Sequence, residues 1–197
     1  MDVAQKKSEK TRRREILDAA LRCFSKKGYH ETTVNDIVKE SKLTKGGIYW
    51  YFKGKKEIFM AVIEEYLRED KIFWEEILKK YKPGPELLIE AGSLYLKRCL
   101  EDKSFSAFYA EFSAEAYRDK AIKGRIANLY REWQRMIKGA LDCAIQRGGM
   151  KPLDSESLAN GIIALVDGLK EQYWTNKIDY EKTWRTFARA LLEGIAK

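Results

Sequence analysis

Thr33-Val34-Asn35-Asp36-Ile37-Val38-Lys39-Glu40-Ser41-Lys42-Leu43-Thr44-Lys45-Gly46-Gly47-Ile48-Tyr49-Trp50-Tyr51 decides the reading of the whole chain. Thr33 is a good helix N-cap, and Val34, Ile37 and Val38 form the inner face of a short helix over about 34–40. Ser41-Lys42-Leu43 breaks it. Thr44 then caps a second short helix to about Tyr51, with Ile48 turned toward Val34, Ile37, Val38, Leu43 and Phe24. Two short helices joined by a three-residue turn, behind a basic helix, make a helix-turn-helix. The second is the candidate recognition helix, with Thr44, Lys45 and Gly46 at the end that meets base edges. Gly46 and Gly47 cost about 1 kcal/mol each relative to Ala inside a helix, tolerable where a bare backbone must approach DNA. The hydroxyls of Tyr49 and Tyr51 suit phosphates, and Lys55 adds charge to the next helix start. Trp50 either touches DNA or packs on the N-terminal helix.

The charge agrees with that placement. The 197 residues carry 38 Lys and Arg against 30 Asp and Glu, net +8; residues 1–60 hold 15 basic and 8 acidic side chains. An anionic partner is therefore drawn to the first third. Lys6, Lys7, Lys10 and Arg12–Arg14 form either an arm on the DNA backbone or a solvated end.

The rest reads as helix throughout, with no strand-like alternation. A first helix over 9–27 sets Ile16, Ala19, Ala20, Cys23 and Phe24 on one face and stops at Gly28. After the break at Phe52-Lys53-Gly54, helices are expected over 55–81, 86–101, 104–117, 120–147, 155–175 and 180–196, about nine in all. An all-α fold is expected: a three-helix helix-turn-helix domain at 1–54 and a larger helical bundle at 55–197, to which the family likeness described next assigns ligand binding and dimerisation.

At these residues the sequence resembles the tetracycline-repressor (TetR/AcrR) family of transcription regulators. The likeness runs through Ala20-Leu21, Phe24, Gly28-Tyr29, Thr32-Thr33-Val34, Ile37-Val38, Leu43-Thr44-Lys45-Gly46-Gly47-Ile48-Tyr49, Phe52 and Lys55-Lys56-Glu57. A looser likeness of 108–170 is to the choline-regulator-like branch. The resemblance implies phosphate contacts from Thr33, Tyr49, Tyr51 and Lys55, and base contacts from Lys45, Gly46 and Asn35. Lys42 stands where the family usually has Gly, and Tyr51 where it usually has His. A homodimer on a palindromic operator, released by a small-molecule effector, is what the resemblance implies for function.

In the larger part, Phe105, Phe108, Tyr109 and Phe112 form one helical stripe, and Tyr130, Trp133 and Ile137 another. Such stripes are core more often than ligand contacts; their functional reading is an aromatic pocket between helices. Glu111 and Glu115, one turn apart, either neutralise a cationic ligand or form a solvated acidic face. Broad stripes at the end (Leu158, Ile162, Leu165 and Leu169; Trp184, Phe187 and Leu191) exceed what a small bundle needs and point to a dimer interface.

Other classes fit poorly. His30 is the only histidine; Cys23, Cys99 and Cys143 form no CxxC pair; there is no P-loop or Gly-rich dinucleotide motif. No cofactor or metal site is expected, and an enzyme lacks its constellation. No apolar run reaches the roughly 18 residues of a membrane span, and the basic N-terminal helix lacks the aromatic face of a membrane anchor. A cytoplasmic protein is expected.

Overall fold

A computed structural model describes residues 8–82 and 84–194. Among them are nine α-helices and no strand: α1 (Glu9–Glu31), α2 (Val34–Ser41), α3 (Lys45–Tyr51), α4 (Lys55–Lys80), α5 (Pro85–Glu101), α6 (Lys103–Ala116), α7 (Lys120–Gln146), α8 (Ser155–Asn176) and α9 (Tyr180–Glu193). Lys6, Lys7 and the expected last turn at 195–196 lie outside the described residues. Side-chain caps set several boundaries: Ser8 accepts from the Thr11 N–H, Asp154 from Glu156 and Ser157, and Asp179 from Lys182. Each satisfies an amide that the first helical turn leaves open. Pro85 opens α5, where a missing N–H costs nothing.

The helices divide into two compact units, residues 1–68 with 103–123, and 69–102 with 124–197. In the first, α6 packs along α1, and α1 packs on α2. The core is a set of phenylalanines: Phe59 on α4 lies 5.0 Å from Phe24 and from Phe108, and 5.4 Å from Phe112, centre to centre. Phe24, Phe59, Phe108 and Phe112 are fully buried. Replacing one by Ala in such a core costs about 3–5 kcal/mol.

The regular helical run of α1 breaks at Gly28, as expected, and the chain kinks there at φ 75° and ψ 173° before the last residues of the element. That conformation costs an L side chain, and a Cβ there would also stand 3.0 Å from Glu111 Oε2. The kink turns Tyr29 toward α6, and its N–H donates to Glu111 Oε2 at 3.1 Å.

In the second unit, α5 packs against α8 and α9, and α8 against α9. Trp184 of α9 lies flat on α5 at Gly92, and its indole N–H donates to the Ile89 carbonyl at 2.8 Å. A Cβ on Gly92 would fall 2.0 Å from the Trp184 ring, so this approach requires glycine. Arg185 forks onto Glu90 of α5 beside it, and that pairing holds the Glu90 carboxyl below the usual range.

Candidate nucleic-acid interface and ligand cavity

The first site is assembled from local chemistry. Thr33 and Asp36 form a reciprocal capping box on α2: the Asp36 N–H donates to Thr33 Oγ1 at 3.2 Å, and the Thr33 N–H to Asp36 Oδ2 at 2.9 Å. Lys27 and the Thr33 hydroxyl also donate to the Asp36 carboxylate, and together they hold its pKa well below the ordinary value. The turn closes at Lys42, which takes the left-handed conformation at φ 58° and ψ 24°. The position where a family member usually has glycine is thus met by a strained lysine.

Thr44 Oγ1 accepts from the Gly47 N–H at 3.1 Å and fixes the start of α3. Ile48, with no exposed surface, plugs α3 into the core. On the other side Thr44, Lys45, Gly46, Tyr49 and Trp50 are exposed, Trp50 by 80%. Trp50 therefore does not pack on α1. Asn35 is exposed on α2, and Tyr51 is half-buried. One face of a seven-residue helix is locked and the other presents a cation, a bare backbone, a phenol and an indole to solvent.

Lys55 stands apart from this face. Its ammonium donates to the carbonyls of Tyr29 and His30, at 2.7 and 3.0 Å, and lies 4.5 Å from the centre of the Tyr29 ring. It ties α4 to the last turn of α1, favourable for a cation at a helix C-terminus. Arg12–Arg14 lie within α1: Arg12 pairs with Glu15, Arg14 with Asp18 and Glu65, and Arg13 lies over the Phe52 ring.

The aromatics expected to line a pocket separate. Phe105, Phe108 and Phe112 belong to the core of the first unit, with Tyr109 beside Phe105. Glu111, half-buried, receives the Tyr29 N–H, while Glu115, buried, sits 2.9 Å from His30 Nε2 and 3.0 Å from Arg118.

The second unit contains a cavity of about 50 Å³, lined by Trp74, Tyr95, Trp133 and Trp184 with Leu88, Met136, Ile137, Ile162, Ile163 and Val166. Of the stripes read as a possible pocket, Trp133 and Ile137 line it. Tyr130 touches Trp133, and its hydroxyl donates to Asp167 at 2.7 Å. Trp74, Tyr95 and Trp184 were not among the expected pocket residues. Gly92, a glycine in a helix interior, was the signal available for a close approach here.

The same packing divides the residues expected at a dimer interface. Ile162, Leu169 and Trp184 are buried within the subunit, the first and last as cavity walls. Leu158, Leu165 and Leu191 are half-buried, and Phe187 is 49% exposed. One α9 turn separates Trp184, facing in, from Phe187, facing out.

Also in this unit, Asp70 of α4 is 1% exposed, with Arg98 Nη2 3.3 Å from its Oδ1. Burial pushes its carboxyl up to about 7, against the opposing pull of Arg98 and Lys170.

A capped helix-turn-helix with an open face on α3, in a chain whose other helical unit encloses an apolar cavity, is the architecture of a helix-turn-helix DNA-binding regulator. Residues 16–62 match the model of the tetR family of bacterial regulatory proteins, and residues 90–197 that of the BetI-type transcriptional repressor C-terminal domain. The chain belongs to the TetR family of transcription regulators. It is 27% identical to the HTH-type transcriptional regulator QacR of Staphylococcus aureus over 190 residues, 92% of this chain and 97% of that one. With an uncharacterized HTH-type regulator of Bacillus subtilis, YfiR, identity is 42% over 64 residues, 32% of this chain and 31% of that protein. The fold matches that of Bacillus subtilis FadR in complex with stearoyl-CoA, with a TM-score of 0.80, 24% identity, and coverage of 92% of this chain and 98% of the other. Among the described residues no helix is long and apolar enough to cross a membrane.

Proposed function

We propose that the protein is a homodimeric repressor that reads a palindromic operator through α3 and leaves it when a small molecule occupies the second unit. The observation that carries the reading is α3 itself, fixed by Thr44 and Ile48 while Lys45, Gly46, Tyr49 and Trp50 face solvent. Lys45 and Gly46 meet base edges; Asn35 adds a base contact from α2. Thr33, Tyr49 and Tyr51 meet phosphates, while Lys55 positions the end of α1. DNA binding by residues 1–54 is the activity, with no chemical step, and the cytoplasm is where such a protein meets its operator. Residues 55–197 sense and dimerise.

The half-exposed apolar face of α8 and α9 (Leu158, Leu165, Phe187 and Leu191) supports the second copy. Two such pairs of helices make a four-helix interface. The dimer then has two states, one of which spaces the recognition helices about 34–36 Å apart, one DNA turn. A ligand that prefers the other state by about 1–3 kcal/mol shifts the equilibrium. Helix α4 runs from the first unit into the second and gives the connection a covalent path. That a protein of the same fold, Bacillus subtilis FadR, is found in complex with stearoyl-CoA supports ligand binding by this kind of helical unit.

Selection of bound DNA from a random pool, at about 150–200 mM salt where non-specific binding is weakened, tests the proposal. An enriched palindrome is the expected result. Binding that only fades with salt, with no enriched sequence, would refute it.

A further inference from the structure

The walls of the cavity in the second unit specify the charge class of what fills it, given the effector reading above. Among the described residues Asp167 is the one wall side chain with a carboxylate or a cationic group, the Tyr95 phenol being the other titratable one, and that carboxylate is already committed. Its Oδ1 lies 2.8 Å from the Lys170 ammonium, and its Oδ2 accepts from the Tyr130 hydroxyl at 2.7 Å. Lys170 in turn lies 5.9 Å from the centre of the Trp133 ring. Neither sign of charge is left waiting in the wall. A charged ligand would therefore surrender its hydration without a counter-charge to replace it, a penalty that aromatic faces recover only in part. One polar group is open: the indole N–H of Trp74, a wall residue, is buried without an acceptor among the described residues. A buried donor without a partner carries a desolvation cost that an incoming acceptor removes.

We propose that the cavity takes a small uncharged molecule with an apolar body and one hydrogen-bond-accepting oxygen, which receives the Trp74 N–H. Ammonium and carboxylate ligands are disfavoured. With about 50 Å³ open, a third of the roughly 150 Å³ that admits benzene, the cavity takes a body of only a few heavy atoms.

The test is a size-matched series with a two-carbon body that differs in the charge of its head group: ethanol, ethylammonium and acetate. Trp74, Trp133 and Trp184, three of the five tryptophans, line the cavity, so tryptophan emission of the full-length protein reports binding, with calorimetry as the second measurement. The alcohol is expected to bind at least tenfold more tightly than either ion. Trp74→Phe should weaken the alcohol about threefold or more, and Ile163→Phe should abolish binding while preserving the far-ultraviolet circular dichroism. Val166→Leu replaces the latter variant should it fail to fold. Equal or tighter binding of either ion, no binding by any member, or alcohol binding unchanged in the filled variant overturns the proposal. Unchanged affinity in Trp74→Phe overturns the role of that N–H. Adding the alcohol to the operator complex separates the two readings. Binding without loss of operator affinity leaves the charge class standing and removes the cavity as the effector site.

Discussion

Replacing Asp70 by Asn removes one ionisation and little else, since the side chains are nearly isosteric. The carboxyl is buried at 1% exposure and its pKa is raised from 3.8 to about 7, chiefly by desolvation. A raised carboxyl pKa means that the folded chain holds this proton more tightly than the unfolded chain. Below pH 3.8 both states are protonated and the group is neutral to stability. As pH rises the unfolded chain ionises first, so stability falls until the folded carboxyl ionises near pH 7, and is then constant. About 3 pH units at 1.36 kcal/mol each give a total loss of about 4 kcal/mol. Between pH 5 and 8 the share is about 2–3 kcal/mol. Asn carries no such loss, so Asp70→Asn should match the wild type near pH 4 and exceed it by most of that amount at pH 8. Urea denaturation at fixed protomer concentration across pH 5–8 measures the difference, and the melting temperature should separate by roughly 5–10 °C. Parallel pH profiles for the two proteins would refute the argument and place water or a closer Arg98 contact at this carboxylate.

Lys45→Ala should relax base preference at one position in each half-site by about 1–3 kcal/mol, read from the motif it selects; an identical motif removes Lys45 from the base contacts. Lys55→Ala should lower stability by about 1–2 kcal/mol and leave the salt dependence of DNA binding unchanged, because its ammonium is engaged with Tyr29 and His30. A salt slope reduced by about 1 would instead put it on a phosphate. Leu165→Glu, half-buried on α8, should convert the dimer to monomer by light scattering; an intact dimer would move the interface off this face.

The DNA-binding segment was legible because its determinants are local. Thr33, Thr44 and Gly28 act within a few residues of themselves, and capping preferences and φ restrictions depend on residue type alone. At Lys42, against the usual glycine, the sequence left open a left-handed backbone or a different turn, and the residue takes the left-handed one. Periodicity serves the larger part less well. It shows that Phe105, Phe108 and Phe112 face inward but not which helix covers them, and Phe24 and Phe59, far back in the chain, decide that they are core. Trp184 and Phe187 sit on one apolar stripe of α9, and only the bare backbone at Gly92 determines which is enclosed. Asp70 was invisible for the same reason: burial of one carboxylate on a charged helix is fixed by its neighbours in space.

The contact between Gly92 and Trp184 binds two distant positions into one inherited character. A methyl group at 92 ejects the indole, and a smaller ring at 184 opens a void over α5 and gives up the hydrogen bond to the Ile89 carbonyl. Neither site is free to drift alone, so a lineage that reshapes this wall to sense a different compound must cross a poorly packed intermediate or change both codons together. Among descendants of this chain, residues 92 and 184 should therefore be gained and lost as a pair, while the exposed Phe187, one turn away, varies on its own schedule.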